Sequence, residues 1–219
     1  MIGADSTRIA ERAAAAFQNP ARDRPFRHWL PDGILPEPSV RHLAGLGLPG
    51  DPLGDGGGRR ETNNAGRAFL AKETPDPVCA ALVQAFQSPE LASTLAARCA
   101  ADLDGTFLRI EYCQDIDGFW LEPHTDIAAK RFTLLVYLND PPPGEDWGTD
   151  IYDGAGESVD RAPSGTNAGL AFVPGADTWH GFRRRPITGV RRSLIINYVV
   201  PEWRARHELA VPKDPVRLI

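Results

Sequence analysis

The chain has 219 residues, 42% of them hydrophobic and 24% charged, a balance that supplies a full core and argues against a disordered or membrane class. Its net charge of −5, with no basic run longer than Arg183 to Arg185, excludes the electrostatic footprint of a nucleic-acid binder. Three scattered cysteines, Cys79, Cys99 and Cys113, form no CxxC and read as core fillers in a reducing compartment, not as a disulfide framework.

The opening MIGADSTRIAERAAAAFQ carries Asp5 and Glu11 and lacks a long apolar core. That argues against a signal peptide or a spanning helix, and for a cytoplasmic protein with no membrane partner. Ser6 or Asp5 can cap a helix here, and Ile9, Ala13, Ala16 and Phe17 recur at helical spacing. FRHWLPDGILPEPS, from Phe26, is too rich in proline and aromatics for one element and predicts a short strand or turn before a second helix near Ser39. Leu48 to Asn64, LPGDPLGDGGGRRETNN, cannot hold a regular element, because glycine frees the backbone and proline removes donors. No apolar strand precedes its glycines and no Lys-Ser/Thr follows them, so it is not a phosphate loop; it reads as a lid over a pocket or as a plain connector.

From Pro75 to Leu103, Val78, Leu82, Val83 and Phe86 form one apolar stripe, and Leu91, Leu95 and Cys99 begin another. Ser88 followed by Pro89 supplies the cap and first turn that divide the two helices. Beyond Gly105 the texture changes. TFLRIEY, RFTLLVYL, TDIYD, GLAFV and RRSLIINYVV are strand-like runs separated by Gly, Pro and Asp clusters, a spacing that predicts a sandwich, barrel or jelly roll. The expected organisation is one domain: a mainly helical part over 1–105, a β core over 106–201 and a C-terminal tail over 202–219.

EPHTDIAAKRFTLLVYLND, from Glu122, places two good metal ligands at the mouth of a strand. Alternate residues of a strand share a face, so His124 and Asp126 point the same way and Thr125 the other. His180, in FVPGADTWHGF at the end of another strand-like run, can supply a third donor. Two imidazoles and one carboxylate with positions left open are the facial arrangement of non-haem Fe(II) oxygenases. The same donors also hold zinc with an open water position, so a zinc-dependent hydrolase stays open, as does a cupin-like binding protein without turnover. His28, His42 and His207 lack a partner carboxylate at strand spacing and read as ordinary.

Strand parity sorts the flanking runs. Phe132, Leu134, Val136 and Leu138 share an apolar face, and Arg131, Thr133, Leu135 and Tyr137 a mixed one. In the last run, Arg192, Leu194, Ile196 and Tyr198 lie opposite Arg191, Ser193, Ile195 and Asn197. The apolar faces can pack under the N-terminal helices while the mixed faces line a barrel, where an arginine needs an anion; a solvated face on an open sheet is the competing reading.

The order PHTD, FTLLVYLND, GTDIYD, WHGF and GVRRSL resembles the 2-oxoglutarate and Fe(II)-dependent oxygenases of the prolyl-hydroxylase-like branch, over roughly Phe107 to Val200. The resemblance implies an α+β fold: a double-stranded β-helix core, jelly-roll and cupin-like, with the N-terminal helices packed on one sheet. It implies His124, Asp126 and His180 as iron ligands, Arg191 and Ser193 as the pair holding the distal carboxylate of 2-oxoglutarate, Tyr137 reaching the same carboxylate, and Thr133 as a lining residue. Arg192 is the competing anchor, but parity with Ser193 and spacing from His180 favour Arg191.

By the same resemblance, Fe(II) is the cofactor, 2-oxoglutarate and O2 are cosubstrates, and ascorbate is an optional stimulant. The products are succinate, CO2 and a hydroxylated C–H, and the carboxylate of Asp126 favours hydroxylation over halogenation. Trp120 by parity with His124, Arg131 and Asn197 by inward parity, and Arg67 by its place beside the glycine-rich loop are the substrate-contacting candidates. A small polar metabolite is the expected substrate, with a protein or peptide residue as the alternative.

Overall fold

The computed structural model describes residues 2–47, 51–52, 65–72, 74–154 and 156–219. Among the described residues, four helices lie in the first hundred positions, with three short strands between them. Helix α1 (Ile2–Ala16) buries Ile9 and Ala13, followed by Phe17, as the helical spacing predicts, but it starts upstream of Asp5 and Ser6. Helix α2 (Glu37–Gly45) opens after Pro36 and buries Val40 and Leu43. Helix α3 (Pro77–Gln87) is capped by Asp76, whose carboxylate accepts from the Val78 and Cys79 amides at 2.9 Å each. Helix α4 (Pro89–Cys99) starts on the Ser88 hydroxyl and ends where Ala100 turns left-handed at φ 54°.

The α3 cap satisfies two otherwise orphaned amides, so Asp76→Ala should lower stability by about 1 kcal/mol. Chemical denaturation checks this; an unchanged midpoint would mean the cap contributes nothing.

Eleven strands form two antiparallel sheets among the described residues. The larger runs β1 (His28–Trp29), β9 (Gly169–Phe172), β6 (Lys130–Tyr137), β11 (Arg191–Val199), β4 (Phe107–Asp115), β3 (Ala65–Phe69), β2 (Asp51–Pro52). The smaller runs β5 (Leu121–His124), β10 (His180–Phe182), β7 (Asp150–Tyr152), β8 (Ser158–Arg161). This is a double-stranded β-helix. The outer face of the large sheet, with Tyr112, Leu134, Val136, Leu194, Ile196 and Tyr198, packs against Leu82, Phe86 and Leu95 of α3 and α4. Apolar parity therefore decides which face the helices cover, and the mixed face turns inward.

Two differences from the sequence expectation shape the site. The stretch expected to be mainly helical also supplies β1, which pairs with β9, and β3, which pairs with β4, so Arg67 stands on a strand of the large sheet. The C-terminal tail is also part of the fold: the Ala210 amide donates to Leu108 O at 2.9 Å and the Val216 amide to Thr106 O at 2.7 Å, covering the stretch of β4 that β3 leaves bare. The three cysteines are buried and unpaired. Apart from Asp51–Pro52, which pair with Arg67 and Gly66, the Leu48 to Asn64 segment expected as a lid or connector lies outside the described residues. No described helix is long and apolar enough to cross a membrane.

Candidate metal centre

Strands β5 and β10 pair so that His124 lies directly opposite His180, with ring centroids 4.4 Å apart. Asp126 follows β5 after one residue, and one donor atom from each of the three lies within 4.8 Å of the others. Each imidazole is oriented by the backbone two residues before it: His124 Nδ1 meets Glu122 O at 2.9 Å and His180 Nδ1 meets Thr178 O at 2.9 Å. A carbonyl only accepts, so in the neutral rings Nδ1 carries the hydrogen and Nε2 keeps its lone pair.

The protonation states suit a cation. Burial, with the neighbouring His124 and Lys130, outweighs the pull of Asp126 and the Thr178 carbonyl and carries His180 down to about 4, so the ring is neutral near pH 7. Burial works against ionised Asp126, but Lys130, His180 and the Thr133 hydroxyl outweigh it and hold the carboxyl at about 2. His180 and Asp126 are thus in the forms a divalent ion requires.

Thr133 Oγ1 donates to Asp126 Oδ2 at 2.6 Å, and Lys130 Nζ donates to Asp126 Oδ1 at 2.6 Å. Lys130 reaches this position through a bulge. Tyr198 pairs with Phe132 and Val199 with Lys130, which leaves Arg131 without a partner in the ladder. The extra residue turns Lys130 inward and leaves Arg131 exposed, in contact with Ala128 O at 3.4 Å. Arg131, expected inward by parity, is therefore not a pocket residue.

A cavity of about 100 Å³ opens among the donors, and Thr133, Thr149, Arg67, Arg191 and Ser193 also line it. Arg191 is held by Trp147 O, 2.7 Å from Nε, and by Asp115, and it lies over the Phe182 ring at 4.8 Å. Arg192 faces the helical side beside the Tyr112 hydroxyl, so parity separates the two arginines. Tyr137 spends its hydroxyl on Thr149, donating to Oγ1 at 2.8 Å and accepting from the amide at 3.0 Å; Thr149 lines the cavity in its place. Arg67 lines the cavity with Nη1 2.7 Å from Asp115 Oδ1, an ion contact without hydrogen-bond alignment. Asp115, 1% exposed, is thus gripped by both arginines.

Two other substrate candidates stand elsewhere. Trp120 does not line the cavity; Phe119 and Leu121 do. Leu121 pairs with Phe182 and His124 with His180, so β5 holds one extra residue around Pro123 and the alternation that favoured Trp120 breaks. Asn197 is fully buried beneath Thr133, to which it donates at 2.9 Å, and does not line the cavity. Sequence reasoning missed Lys130, Thr149 and Asp115. For Asp115 a signal existed: in LRIEYCQD, Arg109, Glu111 and Asp115 alternate with Leu108, Ile110 and Tyr112, which places a charged series on the inner face.

No protein-family model matches the chain, and no curated protein matches it by sequence. Solved structures do match in fold. A prolyl-4-hydroxylase from Pseudomonas putida superposes with a TM-score of 0.60 at 14% identity, over 87% of this chain and 99% of that one. A prolyl hydroxylase from Trichoplax adhaerens, solved with a hypoxia inducible factor oxygen degradation domain peptide fragment, gives 0.60 at 14% identity over 91% and 93%. HygX from Streptomyces hygroscopicus, solved with nickel and 2-oxoglutarate, gives 0.52 at 16% identity over 79% and 82%. The same protein with hygromycin B also bound gives 0.50 at 14% identity over 79% and 82%. The likeness establishes the fold that the sequence resemblance implied.

Proposed function

We propose that the protein is a non-haem Fe(II) and 2-oxoglutarate-dependent dioxygenase that hydroxylates an unactivated C–H bond with release of succinate and CO2. The observation that carries this reading is the convergence of His124, Asp126 and His180 within 4.8 Å beside a cavity that Arg191 and Ser193 also line. Two imidazoles and one carboxylate leave coordination positions open for a chelating cosubstrate and O2. Bound iron would supply the oxidising chemistry, and the chain supplies placement and exclusion of water. Arg191 has Nε and Nη1 engaged by Trp147 and Asp115, which leaves Nη2, with the Ser193 hydroxyl, for the distal carboxylate of 2-oxoglutarate. Phe119, Leu121, Leu135 and Phe182 wall the cavity and keep the reacting region dry.

A zinc hydrolase would need a free base beside the metal. Among the described residues the one further carboxylate lining the cavity, Asp115, is tied to Arg67 and Arg191, which supports the oxygenase reading. For the substrate we retain a small polar metabolite, in keeping with a narrow cavity lined by Arg67. The Trichoplax neighbour was solved with a peptide fragment and HygX with hygromycin B, so a peptide residue is the second reading.

The test is succinate formation from 2-oxoglutarate with Fe(II), across a panel of amino acids, acyl conjugates and peptides. Stimulation by a free metabolite is expected. Stimulation by peptides alone would move the substrate to the second reading, and no succinate with any member would overturn the activity.

A further inference from the structure

The inner face of the large sheet carries a continuous buried polar chain that ends on Asp126. Glu208, in the 3-10 turn Arg206–Glu208, accepts from Arg109 Nε at 2.6 Å. Arg109 Nη1 donates to Asn197 Oδ1 at 3.1 Å, and Asn197 Nδ2 donates to Thr133 Oγ1 at 2.9 Å. Thr133 Oγ1 then donates to Asp126 Oδ2 at 2.6 Å. Arg109, Thr133, Asn197 and Glu208 are 5%, 2%, 0% and 7% exposed, so water does not complete these bonds from outside.

Each link has one permitted direction. Arginine has donors only, so Asn197 must turn its oxygen to Arg109 and its NH2 to Thr133. The amide hydrogen takes a lone pair on the Thr133 oxygen, and the single hydroxyl proton is left for Asp126. Arg109 is itself fixed by two carboxylates, Glu208 and Glu111, the latter 2.8 Å from Nη2.

We infer that Arg109, Asn197 and Thr133 form a positioning relay that, through Asp126 Oδ2, fixes the orientation in which the Asp126 carboxylate would meet a metal. The inference rests on the metal reading above. Through Glu208 the relay also makes the C-terminal segment part of the metal centre, although that segment does not line the cavity. A purely structural role would require only that Arg109 and Asn197 satisfy each other; the relay requires in addition that the hydroxyl proton point at Asp126. Partners of this kind typically change metal affinity about 10- to 100-fold when removed.

The experiment titrates Co(II) into the metal-free wild type, Thr133→Val, Thr133→Ser and Asn197→Asp, reading affinity by calorimetry and coordination by visible absorption, with thermal melting of each metal-free form alongside. Asn197→Asp keeps shape and can still pair with Arg109, but it cannot donate, so the Thr133 proton turns away from Asp126. We expect Co(II) affinity to fall about 10- to 100-fold, with an altered absorption band, in Thr133→Val and Asn197→Asp. Thr133→Ser, which keeps the hydroxyl, should bind like the wild type. Unchanged Co(II) affinity in both Thr133→Val and Asn197→Asp would overturn the relay, as would an equal loss in Thr133→Ser and Thr133→Val or losses that merely follow melting temperature. Failure of the wild type to bind Co(II) would instead remove the metal reading on which the relay depends.

Discussion

His180→Ala should abolish divalent-metal binding and all conversion of 2-oxoglutarate to succinate. His180 is 5% exposed, its Nδ1 is committed to Thr178 O, and among the described residues it is one of three donors that converge at the site. Two remaining donors cannot hold a facial site against water. The ring also packs on Phe172 at 4.8 Å, so the variant will lose some stability as well, and metal content must be measured on protein shown to be folded. His124→Ala should behave the same way with less structural cost, because His124 is less buried. His42→Ala is the control: His42 is bound to Asp76 at 2.6 Å, away from the cavity, and its loss should leave metal binding intact. Full turnover by either active-site variant would sink the ligand assignment.

Arg191→Ala should weaken 2-oxoglutarate binding by about two orders of magnitude, while Arg192→Ala should change it little. A buried charge-assisted contact contributes about 2 to 3 kcal/mol, which corresponds to that loss. Asp115 adds to the effect. With Arg191 gone, a buried carboxylate paired with Arg67 alone among the described residues faces the incoming anion. Arg192 lies on the opposite face of the same strand, beside Tyr112, and cannot substitute. Calorimetry on the two variants decides the matter, and the reverse ranking would mean that the inner and outer faces of β11 have been exchanged.

Much of the architecture is legible because the code for a two-faced strand is short. Leu194, Ile196 and Tyr198 declare the helical side, and Arg191, Ser193 and Ile195 the cavity side, by alternation alone. The His-x-Asp pair is legible for the same reason. Alternation failed where the backbone adds a residue. One bulge exchanges Arg131 for Lys130, and another around Pro123 exchanges Trp120 for Phe119 and Leu121; Pro123 is a local signature of the second, and the first has none. Long-range pairings were also hidden. Arg67 meets Asp115 because β3 joins β4, and Glu208 meets Arg109 because the C-terminal segment completes the same strand; nothing near either residue in the chain announces its partner. Asn197 faces inward as parity requires, yet it is spent on Thr133 and Arg109 and not offered to the cavity, a distinction that depends on depth and not on face.

If the three donors and Arg191 make one composite site, 2-oxoglutarate is held at once by the metal and by the arginine. The decisive measurement titrates 2-oxoglutarate, without oxygen, into Ni(II)-loaded and metal-free protein in a calorimeter. One 2-oxoglutarate should bind per chain in the loaded protein, with a large loss of affinity in the metal-free form. Equal binding in the two forms, or none in protein carrying one Ni(II) per chain, would contradict the composite site.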